Sequence, residues 1–520
     1  MLPVNSGSSQ GVKVLLVVID AASPRVVCPA IQTGRLPNLK RLAESGTMHE
    51  RSVTMFPSIT PAATSSIVTG TYPAEHGIAG ASWYDEARQD VAYYGDDFWT
   101  ITKDGFGRFL EDFLLRLNGD RLKMPTLFEM VESSGFRASC VNYLVYRGNY
   151  THKVHVPMMM TLLPGVRARE EIYGPSTLCL GDFVTPHDGR RKVKDRGGPM
   201  HRFGMDDESS AAMLAQLAAD GALGDFALAY FADNDYRSHE VGPHAALPVI
   251  DRIDAALGMV FDAAGGFERF TRDWCVIVTS DHGHCEVLAD EDRSIIRLEQ
   301  VLADLQAADI ARGWRDGDDI MICPNMRTTQ IYVRTPSTET IERLVRMALA
   351  DARIDLAVWH RGATGSDAAA YVVDSQRGRC EFWRGGPGGD GTGRDHFGTG
   401  WTWRGELGAL GLELVGNVLE SDTYPNALER IAGVLDAPNS GHVWLTAEPG
   451  CEFEVSGGKA HAGGASHGAL HALDSLSPVI IGGAGARELP QHMRSVDIAP
   501  LCMELLGLSM KYRVGQARGG

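Results

Sequence analysis

The run from Val12 to Ile19 is apolar at every position except Lys13. That is too continuous for a strand with one wet face, and it suits the buried centre of a parallel sheet. Similar runs recur at Phe226 to Phe231, Cys275 to Thr279 and Pro478 to Ile481. Between them, helical patterns span Leu36 to Glu44, Pro125 to Ser133, Leu247 to Ala264 and Val496 to Leu506. Alternating strands and helices predict an α/β fold with a mostly parallel central sheet and helices on both faces.

The stretch from about Cys285 to about His461 reads differently. It holds a β-rich segment (Met321 to Val333), a helix (Thr338 to Asp351) and strands near Leu356 to His360 and Ala369 to Val373. It is expected to be an inserted α+β cap domain over residues 285–460, with residues 1–284 and 461–520 forming the catalytic core. Inside it, the glycine-rich region Arg384 to Gly400 is expected to be a mobile loop.

At 520 residues the chain exceeds the roughly 250 to 300 at which single cores stop growing, so a large domain with an insertion fits. With 44% hydrophobic and 22% charged residues it reads as an ordinary globular protein. The formal charge of −17 disfavours a nucleic-acid polymer as partner, although bound cations can invert a local potential. A small phosphate-bearing molecule remains open as substrate. The apolar run after the Ser- and Gly-rich segment Met1 to Val12 is too short for a signal core, and no membrane span is expected. Nine cysteines without CxxC pairs suit a reducing cytoplasm, not a disulfide framework.

Polar residues gather where the buried strands end, the usual ligand edge of open α/β sheets. Asp20 closes the first run; a turn or helix cap would explain it equally well. In Phe56-Pro57-Ser58-Ile59-Thr60-Pro61, Thr60 sits just before a proline suited to the first helical position. That reads as a helix start, where backbone amides and the dipole favour negative charge, or as an ordinary cap. Asp235 and His239 are four apart, a spacing that serves one metal or a surface ion pair. Asp281-His282-Gly283 leaves a buried strand, and packing explains it poorly because a buried unpaired carboxylate is costly. His467-Gly468 precedes the last apolar run and alone says little, with His461 and His471 nearby.

Taken in order, Asp20, the Thr60 segment running into Val68-Thr69-Gly70-Thr71-Tyr72-Pro73 and His76-Gly77-Ile78, Asp235 and His239, Asp281-His282-Gly283 and His467-Gly468 resemble the type I phosphodiesterase/nucleotide pyrophosphatase branch of the alkaline phosphatase superfamily. The resemblance covers roughly residues 12 to 90, 225 to 284 and 460 to 510. It implies a hydrolase of phosphoric esters with two divalent ions, zinc or alternatively manganese. Asp20, Thr60, Asp281 and His282 would bind one ion; Asp235, His239 and His467 the other. Thr60 would be the nucleophile, attacking phosphorus in line to give a phosphothreonine that water then hydrolyses.

The chain departs from the family pattern at the substrate. Where many relatives carry an asparagine that donates to the phosphoryl group, Ala81 stands, with Ser82 next. Where monoesterase relatives carry Lys-x-Arg-Gly, Val145-Tyr146-Arg147-Gly148 stands. Arg147 is therefore a candidate phosphate contact without its lysine, or a solvated arginine, and Ser82 and Asn142 are the remaining candidate substrate contacts. The missing lysine shifts weight toward a diester or phosphonate ester. A phosphomonoesterase, a phosphoryl or phosphoethanolamine transferase and a non-catalytic metal-binding protein are the alternatives. Thr60-Pro61-Ala62 lacks the sulfatase motif, and a serine nucleophile sets phosphoglycerate mutases apart. Oligomeric state is not legible.

Overall fold

A computed structural model describes residues 11–94, 111–156, 169–185, 199–364, 370–454 and 460–510. The segment before residue 11, Ala369 and the residues after 510 lie outside the described residues. Eight strands build the central sheet: β1 (Lys13–Ile19), β2 (Gly46–Val53), β3 (Ala138–Val141), β4 (Thr177–Cys179), β5 (Phe226–Phe231), β6 (Trp274–Thr279), β7 (Leu476–Gly483) and β8 (Met493–Arg494). Their order is β8-β2-β7-β6-β1-β5-β3-β4. From β6 to β4 the ladder is parallel, while β7 runs antiparallel to both β6 and β2.

The unbroken apolar run of β1 follows from burial on both faces. Val14, Leu16 and Val18 pack with Ile67, Val68, Phe128 and Leu501 on one side. On the other, Leu15, Val17 and Ile19 meet Leu39, Leu42, Ile250, Ile253 and Leu257. Polar residues therefore wait for the strand's carboxyl end, where Asp20 stands.

A second sheet of ten strands is drawn entirely from Ile320 to Ala447 and is almost wholly antiparallel. The helices Thr338–Ala348 and Ala427–Leu435 cover it. The glycine-rich region expected to be a mobile loop is instead part of this sheet: Gly391–Arg394 pairs in register with Gly400–Gly405. Glycine is needed there for closeness. A Cβ on Gly391 would come within 2.3 Å of the Trp403 ring.

Buried polar contacts join this second sheet and its helices to the central sheet. Arg327, fully buried, pairs with Asp474 and donates to the carbonyls of Cys451 and Ala447 at 3.0 and 2.9 Å. Arg430 reaches from its helix to Met55 O, Ser58 Oγ and Ser475 Oγ, and burial lowers its pKa to about 9. Phe56 and Leu470 of the core share one apolar cluster with Leu356, Val358 and Trp444 of the insert. Removing one member of a buried ion pair strands the other charge in a low dielectric. Asp474→Ala is therefore expected to cost about 3 to 5 kcal/mol of unfolding free energy, read from the guanidinium midpoint. A loss under about 1 kcal/mol would show that the contact does not hold the two sheets together.

Candidate active site

Three parallel strands deliver their following residues to one place. Asp20 follows β1, and its amide donates to Phe231 O at the end of β5. Asn234, just past β5, donates to Asp20 O at 2.8 Å, which ties that turn to the helix Asp233–Val241. Asp281 follows β6, and its Oδ1 accepts from the amides of Ala21 and His282. One carboxylate oxygen thus holds the two loops together, while Oδ2 stays without a hydrogen-bond partner among the described residues.

Thr60 is placed differently from its sequence context. Ile59 takes the extended cap position, so Thr60 is the first residue of the helix Thr60–Thr69, and no side chain caps the start. Its hydroxyl is therefore not spent on capping and lies 3.1 Å from His282 Nε2. The His282 Nδ1 sits 3.1 Å from Gly283 O, which leaves Nε2 as the acceptor facing Thr60. The cis Phe56-Pro57 bond and the Ser58 amide, which donates to Gly468 O, shape the approach to this helix.

Asp235 and His239 come from one helical turn, with Nε2 of His239 3.4 Å from Asp235 Oδ2. His467 arrives through a two-residue ladder in which Cys285 pairs with Ser466. Its ring stacks on His282 at 3.7 Å. Both His239 and His467 direct Nδ1 to backbone carbonyls, of Ala465 and Ser58, at 2.8 Å each. That fixes the tautomer and turns each Nε2 inward as a donor of its lone pair, the usual support of a metal-binding imidazole.

All seven expected ligand positions converge. Ligand atoms of Asp235, His239, His284 and His467 lie within 4.8 Å of one another, and so do those of Asp20, Asp235 and His282. Asp281 Oδ2 is 3.7 Å from His282 Nε2, at the edge of the second group.

Burial, then the neighbouring charges of Asp281 and Asp235, raises Asp20 well above the carboxylate range. Burial raises Asp281 too, against the pull of His282. For Asp235 burial also works upward, but His239 and His284 outweigh it and hold the group well below its usual value. His467 is driven down by burial and by His282. Three buried carboxylates and inward imidazoles, with Asp20 Oδ1, Asp281 Oδ2 and His467 Nε2 lacking hydrogen-bond partners among the described residues, fit divalent cations.

The other candidates are occupied elsewhere. Arg147 donates Nε to Glu129 and both terminal nitrogens to the carbonyls of Leu122 and Met124. It is a bracket for that loop, with its donors committed, and not a phosphate contact. Asn142, at φ 54°, donates to Gly204 O and Ser210 Oγ and accepts from Gly181. Its amide is committed to Gly204, Ser210 and Gly181, which leaves it no free donor for a substrate. Ser82 is buried, and its amide and carbonyl, with the Ala81 amide, are bound by Asn325 of the insert.

Tyr230 and His284, which the sequence reading passed over, and His461, noted there only as a neighbour of His467, complete the site. Tyr230, hidden inside an apolar strand, donates its hydroxyl to Asp20 Oδ2. His284 is fully buried beside Asp235, and burial lowers its pKa to about 3. His461 pairs with Glu452 and stacks on His239 at 4.2 Å. The alternation His282-Gly283-His284 is the one sequence signal that points to any of them.

His76 of the His76-Gly77-Ile78 motif is structural. Its Nδ1 accepts from the Ile78 amide and its Nε2 meets Ser66 Oγ at 2.9 Å. Burial lowers its pKa from 6.5 to about 3. Between those values the unfolded chain carries a proton that the native protein excludes, so this contribution is present above pH 6.5 and is lost as pH falls. The expected slope is about 1.4 kcal/mol per pH unit, and His76→Gln is expected to flatten it in urea titrations at pH 7 and pH 5.

A family model described as type I phosphodiesterase/nucleotide pyrophosphatase matches residues 14–382. The phosphonoacetate hydrolase of Sinorhizobium meliloti 1021 superposes with a TM-score of 0.56 at 15% identity, over 96% of both chains. Murine ectonucleotide pyrophosphatase/phosphodiesterase 5 does so with a TM-score of 0.57 at 12% identity, again over 96% of both. Among curated proteins, the 2,3-bisphosphoglycerate-independent phosphoglycerate mutase of Wolinella succinogenes is 28% identical over 118 residues, which is 22% of this chain and 23% of that protein. The chain thus spans between 14% and 26% of the length of the curated relatives it matches.

Proposed function

Because the chain belongs to the type I phosphodiesterase/nucleotide pyrophosphatase family, we propose that it is a metal-dependent hydrolase of small phosphoric esters that works through a phosphothreonine at Thr60. The observation that carries this reading is the Thr60 hydroxyl: it starts a helix without capping it and faces His282 at 3.1 Å. A hydroxyl so placed is exposed to the positive end of the helix, where a developing oxyanion is favoured.

Asp20, Asp281 and His282, with Thr60, would hold one divalent cation, and Asp235, His239 and His467 the other; the nitrogen and oxygen donors suit zinc, with manganese the alternative. Bound there, such ions supply the positive charge that makes a threonine alkoxide and an anionic ester compatible with a buried site.

The chain's own part is positional. Thr60 Oγ1 gives its proton to solvent and forms the new bond to phosphorus as the P–O bond to the leaving group breaks, that oxygen departing with the bonding pair and taking a proton from water. Hydrolysis of the resulting phosphothreonine returns the free hydroxyl. The Ala465 and Ser58 carbonyls keep His239 and His467 oriented through both steps, and Asp281 keeps the Asp20 and His282 loops in register. With Arg147 committed to its loop and Val145 in place of a lysine, the Val145–Gly148 segment offers no clamp for a dianionic monoester, and that favours a diester. No helix among the described residues is long and apolar enough to cross a membrane. The nine free, buried cysteines are compatible with a reducing compartment such as the cytoplasm.

The test is hydrolysis of bis-p-nitrophenyl phosphate, p-nitrophenyl phosphate and a p-nitrophenyl phosphonate ester, with and without prior chelation. We expect kcat/KM to be highest for the diester or the phosphonate ester, and turnover to vanish on chelation and return with Zn2+. A higher value for the monoester would make the protein a phosphomonoesterase. Undiminished turnover after chelation would remove the metal from the mechanism.

A further inference from the structure

The Cys285–Ser466 pairing that delivers His467 also brings His284 beside it, because the two histidines flank the paired residues on adjoining strands. The main chain is pinned there: Arg25 donates to His284 O at 3.0 Å. The His284 ring lies 4.7 Å from that of His239 and 5.1 Å from that of His467. Its Nε2 is 3.0 Å from Asp235 Oδ1, yet the two are not aligned as a hydrogen bond. Atoms that approach each other without bonding are what two ligands of a common ion look like, and a fully buried imidazole without such a partner is costly.

We propose that His284 is a fourth protein ligand to the ion held by Asp235, His239 and His467. The proposal rests on the metal-dependent reading above. Three imidazoles and one carboxylate complete a tetrahedral set, the arrangement of a closed structural site, whereas catalytic sites keep one position open. The two halves of the centre are then unequal. The nitrogen-rich half is the better furnished with protein ligands, and the half built from Asp20, Asp281, His282 and Thr60 carries the nucleophile. A nitrogen-rich set also binds late first-row metals tighter than an oxygen-rich one, so it is expected to fill first.

The experiment is Co2+ titration of metal-stripped protein, followed by visible absorbance and by competition with a chelator, on the parent chain, His284→Met and His284→Ala. Methionine keeps the buried volume nearly filled, so a loss seen in both variants is not a packing defect. We expect the parent's first equivalent to give the intense bands of tetrahedral Co2+. In both variants those bands are expected to weaken, with affinity falling about 10- to 100-fold and the second equivalent unchanged. A His284 that only contacted Asp235 would leave the band intensity in place. Unchanged bands and affinity in both variants would overturn the fourth ligand and leave the functional reading standing. A parent chain that binds no Co2+ would overturn both.

Discussion

Thr60→Ala is expected to lower kcat for ester hydrolysis on the order of 10³- to 10⁵-fold, with unchanged folding stability and, at saturating Zn2+, with metal still held by Asp20, Asp281 and His282. The two halves of this expectation separate a nucleophile from a helix cap. A capping threonine contributes about 0.5 to 2 kcal/mol to stability, and alanine forfeits it. Thr60 is the first helical residue, Ile59 occupies the cap, and the Thr60 hydroxyl faces His282, so that stability is not there to lose. Thr60→Ser keeps a hydroxyl at the same atom and is expected to retain much more activity than alanine. Alanine with parental kcat and intact metal would leave Thr60 with no chemical role.

Asp235→Asn is expected to remove about one equivalent of metal and to cost on the order of 10³-fold in kcat/KM. Its carboxylate is the one member common to both clusters of described residues, each of which has its ligand atoms within 4.8 Å of one another. Amide for carboxylate preserves shape while removing the charge that two adjoining imidazoles hold in the ionised state. Because Asp235 also raises Asp20 and Asp281 by its charge, its neutralisation relieves repulsion among the carboxylates of the stripped protein. The thermal midpoint measured in chelator is therefore expected to stay close to that of the parent. A large fall in that midpoint with metal retained would recast Asp235 as a structural residue.

The sequence disclosed whatever depends on local pattern. Burial of β1 on both faces makes its run continuous, and three of the four such runs ended where a ligand was expected, at Asp20, just before Asp235 and at Asp281. Direction was not legible: β7 is as apolar as β6 yet runs against it, because period and composition report burial and not strand polarity. The Arg384 to Gly400 region misled for a related reason. Its glycines permit close approach to the aromatic residues of a neighbouring strand as readily as they permit disorder.

Arg147, Asn142 and Ser82 misled in another way. A polar residue beside a motif looks available until the groups that engage it are known, and those lie as far away in sequence as Asn325, which binds the Ser82 main chain. Tyr230 was hidden inside an apolar run. His284 was visible one residue past a recognised pair, but its meeting with His467 depends on pairing between residues 285 and 466. Thr60 itself was legible as a helix start and misplaced by one position, and that position decides whether its hydroxyl caps or reacts.

The central claim is that Thr60 carries the phosphoryl group between two halves of a reaction. Metal-loaded protein mixed with bis-p-nitrophenyl phosphate, quenched in acid within one turnover and digested for mass spectrometry, tests it directly. The account expects a p-nitrophenyl phosphoryl adduct on the peptide containing Thr60, fragmenting at that residue and absent from Thr60→Ala. Full single-turnover release of p-nitrophenol with no adduct at residue 60 at any quench time would contradict it and assign the attack to water.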